Sequence, residues 1–483
     1  MPTEHRNYCN GEWVASESGE TFTVTNPAAE TDVVGRLPYS TESDTEWAID
    51  AAADAQEEWA NTSGPERGRI LRDAGVIAGD RKDELVETLV REEGKTRSEA
   101  AGEVQRAIDI LFYYAEKARD HGGTSKPASA SDRQIQTKKE PLGVAGLITP
   151  WNYPIAIPAW KLAPALATGN TVVLKPASQA PISAKKLVEC LDDAGLPPGV
   201  LNFVTGSGST IGSTLVSHDA VDAISFTGSS KTGDVVYQEA AEDQKRVQLE
   251  MGGKNPTVVM PSADVDDAVD IVGAGAFGVT GQACTAASRA IVHEDVADEF
   301  LDGVVEYAES LDIGPGLEDP DMGPHVSESE LEVTLDYVDV ADDDGATLET
   351  GGDALSDGEY DSGHYVEPTV FSDVDTEMRI AQEEVFGPLL SVIEVSDFEE
   401  ALDVANDTEY GLSASIVSEN ADEIGAFVDG VESGVVKVNE KTTGLELHVP
   451  FGGMKDSSNE LYREQGDAGV DFFTTTKTVY SNY

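Results

Sequence analysis

Residues 143–178 read GVAGLITPWNYPIAIPAWKLAPALATGNTVVLKPAS, and this stretch carries the pattern from which the fold follows. Apolar, β-branched runs at 143–149 and 171–175 predict two buried strands, and the apolar run 155–167 between them predicts a helix. Strands joined by a helix of this kind run parallel, because the helix crosses back over the sheet. The residues after each strand then lie where an open α/β sheet binds its ligands.

The same alternation continues along the chain. Further helix-like runs occupy 183–194, 210–217 and 231–241. Further strand-like runs occupy 200–205, 223–227 and 247–250, and a second series follows at 257–260, 290–293, 390–394, 414–417 and 434–439. We therefore predict an α/β protein whose parallel sheets are covered by helices.

Other segments lie outside this alternation. Ala-rich amphipathic patterns predict helices at 47–59, 66–93 and 99–119. Alternating residues at 133–140 predict an edge strand, and the acidic, Gly-rich run 342–363 is predicted to be a solvated loop. The tail 471–483 is apolar and β-rich, so we expect it to pair with another segment or subunit rather than remain an exposed edge.

The composition is strongly acidic. The 483 residues include 91 Asp and Glu but only 32 Lys and Arg, a formal net charge of −59. A charge of this size repels nucleic acid and anionic membranes, so neither is an expected partner. Because 40% of the residues are hydrophobic, we expect a folded chain with a carboxylate-covered surface. Salt screens the repulsion on such a surface, which points to a salt-rich cytoplasm.

Residue counts and spacings argue against several other classes. Three cysteines are too few for a disulfide framework, and the seven histidines form no metal-binding spacing, so we predict no metal. No apolar run reaches the roughly 18 residues of a membrane span. The first residues, MPTEHRNYCNGEW, lack a basic segment followed by an apolar one, so we expect no signal peptide and a cytoplasmic location.

Two short motifs carry groups suited to covalent catalysis. Cys284 lies in GQACT (281–285), on a Gly-flanked loop between two apolar segments, and Glu250 ends a β-like run in LEMGGK (249–254). A thiol nucleophile and a carboxylate base together suffice for covalent catalysis at a carbonyl carbon. The alternative is an inert buried cysteine and a surface glutamate. The Gly, Gln and Thr neighbours of Cys284 argue against that alternative.

Three more motifs follow strand-like runs. In PWNYP (150–154), the amide of Asn152 offers an N–H donor to an oxyanion. In KPAS (175–178), Lys175 is suited to a ribose hydroxyl or a phosphate, although a solvated lysine is the alternative. In FTGSSKTG (226–233), backbone N–H groups at a helix start are suited to a phosphate. The spacing there is not a GxGxxG fingerprint, so an ordinary turn is the alternative.

Together with EEVFGP (383–388) and PFGGMK (450–455), these motifs resemble those of the aldehyde dehydrogenase superfamily, in order and over nearly the whole chain. The resemblance implies a dinucleotide-binding domain at 1–122 and 142–252 and an α/β catalytic domain at 253–440. It also implies a β arm for oligomerisation at 123–141 and 466–483. The expected partners are a small aldehyde, NAD or NADP, and further copies of the chain in a homo-dimer or homo-tetramer.

The resemblance also implies a role for each motif residue. Cys284 would be the nucleophile, Asn152 and the Cys284 backbone N–H would form the oxyanion hole, and Glu250 would activate water to release the acid. Implied cofactor contacts are Lys175 and Ser178 near the adenosine ribose, Gly228 and Ser229 at the pyrophosphate, Glu384 at the nicotinamide ribose, and Trp151 and Phe386 packed against the cofactor.

Finer resemblances bear on substrate and cofactor. The sequence of residues 443–479 most resembles that of 2,5-dioxopentanoate dehydrogenases. Succinate-semialdehyde, glyceraldehyde and other aldehyde dehydrogenases are the alternatives. Three other classes fit less well. A CoA-acylating enzyme generally lacks the carboxylate that Glu250 supplies, and a catalytically silent cofactor binder would be expected to have lost Cys284, Asn152 or Glu250, all of which are present. A plain thiol hydrolase would need no cofactor motifs, yet this chain has them. Ser178 stands where NAD-preferring members commonly have a Glu that repels the 2′-phosphate, so we predict that NADP is accepted at least as well as NAD.

Overall fold

The computed structural model describes residues 3–482, which contain two seven-stranded sheets. In the first sheet, five parallel strands are followed at one edge by an antiparallel hairpin. Burial on both faces explains why the parallel strands read as continuous apolar runs. In spatial order the strands are Arg246–Glu250, Ala223–Thr227, Val144–Thr149, Thr171–Pro176, Leu201–Phe203, Asn7–Cys9 and Glu12–Val14.

The strand order of the first sheet creates a crevice for a ligand. From Val144–Thr149 the chain passes to Thr171–Pro176 on one side, and it later returns to Ala223–Thr227 on the other. Connections from these neighbouring strands therefore leave in opposite directions. Open parallel sheets bind ligands at such a point, outside the carboxyl ends of the strands. The loop 150–154 and the turn 228–229 follow the two strands at this edge.

Helices pack on the first sheet, and one of them, Ala156–Thr168, is buried along its whole length. The run 66–93, predicted as one helix, is divided at Arg81 into two. A break of one residue leaves the apolar periodicity intact, so the pattern could not reveal it. The helices of this half are Glu42–Asn61, Gly64–Asp80, Lys82–Glu93, Arg97–Asp120, Ala156–Thr168, Pro181–Asp193, Ser213–Ser217 and Ser230–Glu242.

The second sheet is parallel except for one edge strand. In spatial order its strands are Thr347–Thr350, Thr369–Ser372, Leu389–Val395, Ala287–His293, Asn255–Val259, Ser413–Val417 and Val435–Val438. Its helices are Val265–Phe277, Glu294–Ser310, Glu328–Asp344, Arg379–Gln382, Phe398–Asn406 and Ala421–Gly430.

The predicted solvated loop at 342–363 is wrong in its first part. Helix Glu328–Asp344 ends inside this segment, and Thr347–Thr350 is the antiparallel edge strand of the second sheet. The strand is half open to solvent, with Leu348 45% exposed. Its polar residues, which led to the prediction of a loop, are exposed on this edge strand. The strand forms because it pairs with Thr369–Ser372, which its own composition does not indicate.

A third sheet, here called the arm sheet, has three strands: Ser125–Lys126, Arg133–Pro141 and Thr474–Asn482. Thr474–Asn482 pairs antiparallel with the whole of Arg133–Pro141, which confirms that the tail pairs with another segment. Helix Gly466–Phe472 precedes the tail strand, so the predicted arm range 466–483 begins with a helix. Tyr483 lies outside the described residues.

Smaller elements complete the described chain. Two-stranded pairings join Thr21–Asn26 with Ala29–Pro38, and Tyr410–Gly411 with Met454–Lys455. Ala354–Leu355 pairs with Tyr365–Val366. Within residues 3–482, every helix is too short or too polar to cross a bilayer.

The acidic surface leads to a prediction about salt. Transfer from about 2 M to about 20 mM KCl should lower the melting temperature by about 5–10 °C, because the screening length grows roughly tenfold and exposed carboxylates then repel one another. Differential scanning fluorimetry measures the change. Sucrose, which favours burial without screening charge, is the control. A melting temperature that is the same at both salt concentrations would contradict the prediction.

Candidate active site

A tight loop presents Cys284. Its backbone is left-handed at three consecutive residues, with φ of 53° at Val279, 56° at Thr280 and 66° at Gly281. This conformation is costly for residues other than glycine and persists only where surrounding contacts impose it. One such contact is the hydrogen bond of 2.6 Å that the Val279 N–H donates to the Glu99 carboxylate. The loop is thus held in one shape beneath the thiol.

Two cavities meet at Cys284, which lines both. The wide cavity has a volume of about 360 Å³ and a mainly apolar wall. The narrow cavity has a volume of about 200 Å³ and reaches the switch point of the first sheet at 150–152 and 227–229. By contrast, Cys9 and Cys190 are buried. Cys284 is therefore the thiol with access to ligands on two sides.

Asn152 lies beside the thiol in the loop after strand Val144–Thr149. Its side chain is almost fully buried and lines the narrow cavity together with Cys284. The Asn152 Nδ2 donates a hydrogen bond of 2.9 Å to the Gln282 carbonyl oxygen, and the amide has a second N–H. Asn152 is thus tethered to the Cys284 loop and has a second donor, and its role toward an oxyanion stays a prediction.

A buried ion pair that the sequence analysis missed supports this loop. The Lys95 Nζ donates to the Asn152 carbonyl oxygen at 2.8 Å and to the Glu103 carboxylate at 2.6 Å. The same carboxylate accepts hydrogen bonds from the backbone N–H groups of Ile155 and Ala156, at 3.0 and 3.1 Å. One pair of side chains therefore fixes both ends of the loop. In the sequence, Lys95 stands just before an amphipathic helix and Glu103 within it, which is a common arrangement.

Glu250 ends strand Arg246–Glu250 and is buried. Its Oε2 accepts a hydrogen bond of 3.3 Å from the Gly453 N–H, and within residues 3–482 its Oε1 has no partner. A side chain at Gly452 would lie 2.5 Å from that Oε1, so the Gly-Gly pair of PFGGMK forms the cradle. The carboxylate lies outside the lining of both cavities, although it is close enough to act electrostatically on Cys284.

Burial raises the pKa of Glu250 well above its usual value, and the neighbouring Glu464 carboxylate raises it further. Glu464 is paired with Lys161, which also donates to the Ser225 hydroxyl at 2.8 Å. The sequence analysis missed both Glu464 and Lys161. A lysine within the apolar helix Ala156–Thr168 was an available signal, because a buried lysine requires a partner.

Burial also raises the pKa of the Cys284 thiol, and the carboxylates of Glu384, Glu250 and Glu464 add to the effect. The resting thiol is therefore protonated at neutral pH. Since the thiolate is the reactive form, reaction requires a base or a cationic ligand beside the sulfur.

The narrow cavity has the features of a phosphate site. Ser229 is the N-cap of helix Ser230–Glu242, but its side chain makes no hydrogen bond to the first-turn N–H groups. The Thr232 N–H donates to the Ser229 carbonyl oxygen at 3.1 Å, and the N–H groups before it in the first turn remain available to an anion at the positive end of the helix dipole. The carbon of any side chain at Gly228 would lie 2.7 Å from the Phe226 ring. Gly228 and Ser229 both line the narrow cavity, and their contact with a pyrophosphate stays a prediction.

Three further predicted residues also line the narrow cavity: Trp151, Glu384 and Phe386. The rings of Trp151 and Phe386 meet edge to face, with centroids 5.3 Å apart. Glu384 accepts a hydrogen bond of 3.0 Å from the Gly253 N–H, and burial raises its pKa to about 7. The cavity therefore has an aromatic wall and a hydrogen-bonding carboxylate.

Lys175 and Ser178 follow the neighbouring strand and lie outside the lining of the narrow cavity. Lys175 is buried, its Nζ donates to the Pro176 carbonyl oxygen at 3.1 Å, and burial lowers its pKa to about 8. The Ser178 hydroxyl donates to the Gly206 carbonyl oxygen at 3.1 Å. Both residues lie at the carboxyl edge of the first sheet, one strand away from the switch point, and their contact with a cofactor stays a prediction.

The arrangement is suited to chemistry at a carbonyl carbon. The Cys284 thiol and the Asn152 amide donor line the phosphate-type cavity, the thiol also lines the apolar cavity, and the buried Glu250 carboxylate lies outside both linings. A carbonyl compound in the wide cavity and a nucleotide in the narrow one would meet at Cys284. In the described residues, the titratable side chains form no cluster able to hold a metal ion.

Comparisons with known proteins agree with this arrangement. The sequence profile of the aldehyde dehydrogenase family matches residues 13–479. The chain is 62% identical to an α-ketoglutarate semialdehyde dehydrogenase of Haloferax volcanii, over 100% of both chains. It is 42% identical to a 2,5-dioxopentanoate dehydrogenase of Saccharolobus solfataricus, over 98% of both. Betaine aldehyde dehydrogenase of Staphylococcus aureus, solved with NAD⁺, superposes with a TM-score of 0.96 at 33% identity, covering 99% of this chain and 94% of the other.

Proposed function

This chain belongs to the aldehyde dehydrogenase family, and we propose that it oxidises 2,5-dioxopentanoate, the semialdehyde of α-ketoglutarate, to 2-oxoglutarate. The observation that carries the proposal is the meeting of two cavities at Cys284, one apolar and one suited to a phosphate. The names of the relatives from Haloferax volcanii and Saccharolobus solfataricus support the choice of aldehyde.

A nicotinamide dinucleotide fits the narrow cavity. First-turn N–H groups behind Ser229 are suited to its pyrophosphate, and Glu384 is suited to a ribose hydroxyl. Trp151 and Phe386 offer apolar faces to a ring. When bound, the dinucleotide supplies the hydride acceptor for aldehyde oxidation.

The residues of the chain divide the reaction between them. The Cys284 thiol releases its proton to water as its sulfur bonds to the aldehyde carbon, and Asn152 donates a hydrogen bond to the resulting oxyanion. Oxidation leaves a thioester on the same sulfur. Glu250 takes a proton from the water that hydrolyses this thioester, and the acid leaves as the thiol is restored. Because Glu250 is hydrogen-bonded to Gly453, its side chain must turn toward Cys284 for this step.

A substrate panel tests the proposal. Purified protein in about 2 M KCl, where its surface charge is screened, is assayed with NAD and NADP but without CoA. The panel contains 2,5-dioxopentanoate, succinate semialdehyde, glyceraldehyde and pentanal, and mass spectrometry identifies the acid. The highest kcat/KM is expected for 2,5-dioxopentanoate. A higher kcat/KM for another aldehyde would contradict the substrate, and turnover only on addition of CoA would contradict hydrolysis.

We propose that NADP is accepted at least as well as NAD. Ser178 brings no negative charge toward a 2′-phosphate, and Lys175 is a cation with no carboxylate partner in residues 3–482. Ser178→Glu should therefore raise the KM for NADP by about 10- to 100-fold while changing that for NAD far less. Initial rates with both cofactors measure this, and Ser178→Gln, of similar size but uncharged, is the control. A wild-type kcat/KM for NAD about tenfold above that for NADP would contradict the prediction.

We also propose that the chain acts in a salt-rich cytoplasm as a homo-dimer or homo-tetramer. The acidic composition and the three free cysteines support the location. The arm sheet supports the assembly, because its tail strand ends in an exposed, partly apolar stretch in which Tyr480 is 66% exposed.

A further inference from the structure

We propose that Arg106 binds the carboxylate of the substrate in the wide cavity, and thereby selects aldehydes that carry a carboxylate at the end remote from the aldehyde. This inference rests on the proposed function, since 2,5-dioxopentanoate has such a carboxylate. It deepens that function by naming the residue that recognises the charged end.

One face of helix Arg97–Asp120 lines the wide cavity and carries Arg106. Glu99, Gly102, Glu103 and Arg106 line the wide cavity from helix Arg97–Asp120. Their spacing places them on one helical face, and Arg106 lies three residues, about 4.5 Å along the axis, beyond Glu103. Glu103 is tied through Lys95 to the carbonyl of Asn152, close to the reacting end. The face therefore leads from the oxyanion donor toward the remote end of a bound aldehyde.

Most N–H donors of the Arg106 guanidinium have no hydrogen-bond partner in the described residues. It is half-buried, and its side chain makes one long hydrogen bond, of 3.4 Å, to the Gln465 amide oxygen. A guanidinium has five N–H donors in a planar fork that matches a carboxylate. The acids that act on it electrostatically, Glu446 and Asp109, form no ion pair with it in the described part of the chain. A ligand carboxylate would satisfy donors that the protein leaves open.

The other charged groups of the wide cavity are already engaged. Lys95 pairs with Glu103 and lies over the Tyr153 ring at 4.3 Å. Both oxygens of Glu99 accept backbone hydrogen bonds, from Thr96 and Val279. The two carboxylates that line the cavity, those of Glu99 and Glu103, therefore both have hydrogen-bond partners.

The remaining wall suits a short carbon chain. Aromatic and aliphatic side chains, including Trp160, Phe451 and Ile157, form most of its surface. They would cover the methylene groups between the aldehyde and the carboxylate. A second cation, Lys441, also lines the cavity but is exposed, so it is more strongly hydrated than Arg106 and adds less on contact with an anion.

The test compares charged and uncharged aldehydes of matched length in Arg106→Met and Arg106→Lys. Arg106→Met should raise the KM for 2,5-dioxopentanoate and succinate semialdehyde by about 10- to 100-fold, while pentanal and butanal keep their kcat and KM. Arg106→Lys should fall between, because it keeps the charge but loses the fork. Arg97→Met, on an exposed residue of the same helix, should leave both aldehyde classes unchanged. Glutarate binding, measured by calorimetry without cofactor, should weaken in parallel.

The outcomes separate this inference from the function on which it rests. Equal losses for pentanal and 2,5-dioxopentanoate, or no loss for either, would overturn the role of Arg106. The same holds if Lys441→Met removes the preference for charged aldehydes and Arg106→Met does not. If instead wild-type protein prefers pentanal to 2,5-dioxopentanoate, the proposed substrate fails, and the carboxylate site fails with it. If Arg106→Met does not fold, Arg106→Lys and glutarate binding decide.

Discussion

Replacing Cys284 by Ala will abolish aldehyde oxidation, with kcat/KM falling by about 10⁴-fold or more. The sulfur forms the bond that holds the aldehyde carbon through both halves of the reaction, and no second thiol opens into the two cavities in residues 3–482. Cofactor binding should survive, because the predicted phosphate and ribose contacts come from other residues. Reduced-cofactor formation measures the loss, and fluorescence titration measures cofactor binding.

The matched control is Cys190→Ala. Cys190 is buried in helix Pro181–Asp193, and burial raises its pKa to about 11, so it is an inert thiol. This variant should keep near wild-type turnover, whereas Cys284→Ser should be as inactive as Cys284→Ala. Turnover in either Cys284 variant within about tenfold of wild type would disprove covalent catalysis at that sulfur.

Glu250→Gln should separate the two halves of the reaction. Water takes no part in forming the thioester, so this half of the reaction does not need Glu250 as a base. A rapid first burst of about one reduced cofactor per active site should therefore persist. Steady turnover should fall by about 10²- to 10⁴-fold, because the amide cannot take a proton from water. Stopped-flow measurement of the burst and the steady rate distinguishes these phases. A variant with normal steady turnover would mean that Glu250 has only a packing role.

The raised pKa of Glu250 adds a pH signature to that prediction. A carboxyl with a raised pKa remains protonated to higher pH, so the base form, and with it the deacylation rate, increases as the pH rises through that pKa. Besides burial, the charge of Glu464 raises the pKa of Glu250. Glu464→Gln removes that charge, so the rise of the deacylation rate with pH should occur at lower pH. Glu250→Gln should remove the rise. An unchanged pH profile in both variants would exclude Glu250 as the titrating base.

The sequence predicted the parts of the site that are local in the chain. Cys284, Asn152 and Glu250 each follow or end a short segment whose apolar pattern identifies a strand or a loop. The structure brings Cys284 and Asn152 to one cavity, whereas Glu250 is held away from it by Gly453. Gly228 and Ser229 were predicted in the same way, because backbone N–H groups at a helix start after a strand are suited to a phosphate. Predicting that these residues lie at the same edge of the sheet required one further assumption, that the strands are parallel.

Pairs of distant residues were beyond the reach of sequence patterns. Lys95 contacts the Asn152 carbonyl across 57 residues, and Lys161 contacts Glu464 across 303. Each partner alone looks like an ordinary charged residue. A buried charge is tolerable only with a partner, yet composition and periodicity do not say which of the 91 acids supplies it.

The sequence by itself determined the α/β class, the order of the strands along the chain, the acidic surface and the chemical groups available at each loop. These depend on the local period of apolar residues and on which side chains follow each strand. Only the tertiary structure decided how Glu250 is oriented toward Gly453, how the arm strand pairs, and that the donors of Arg106 are open to the wide cavity. Such features depend on packing between segments that are remote in sequence, and the free energy of that packing is not expressed in either segment alone.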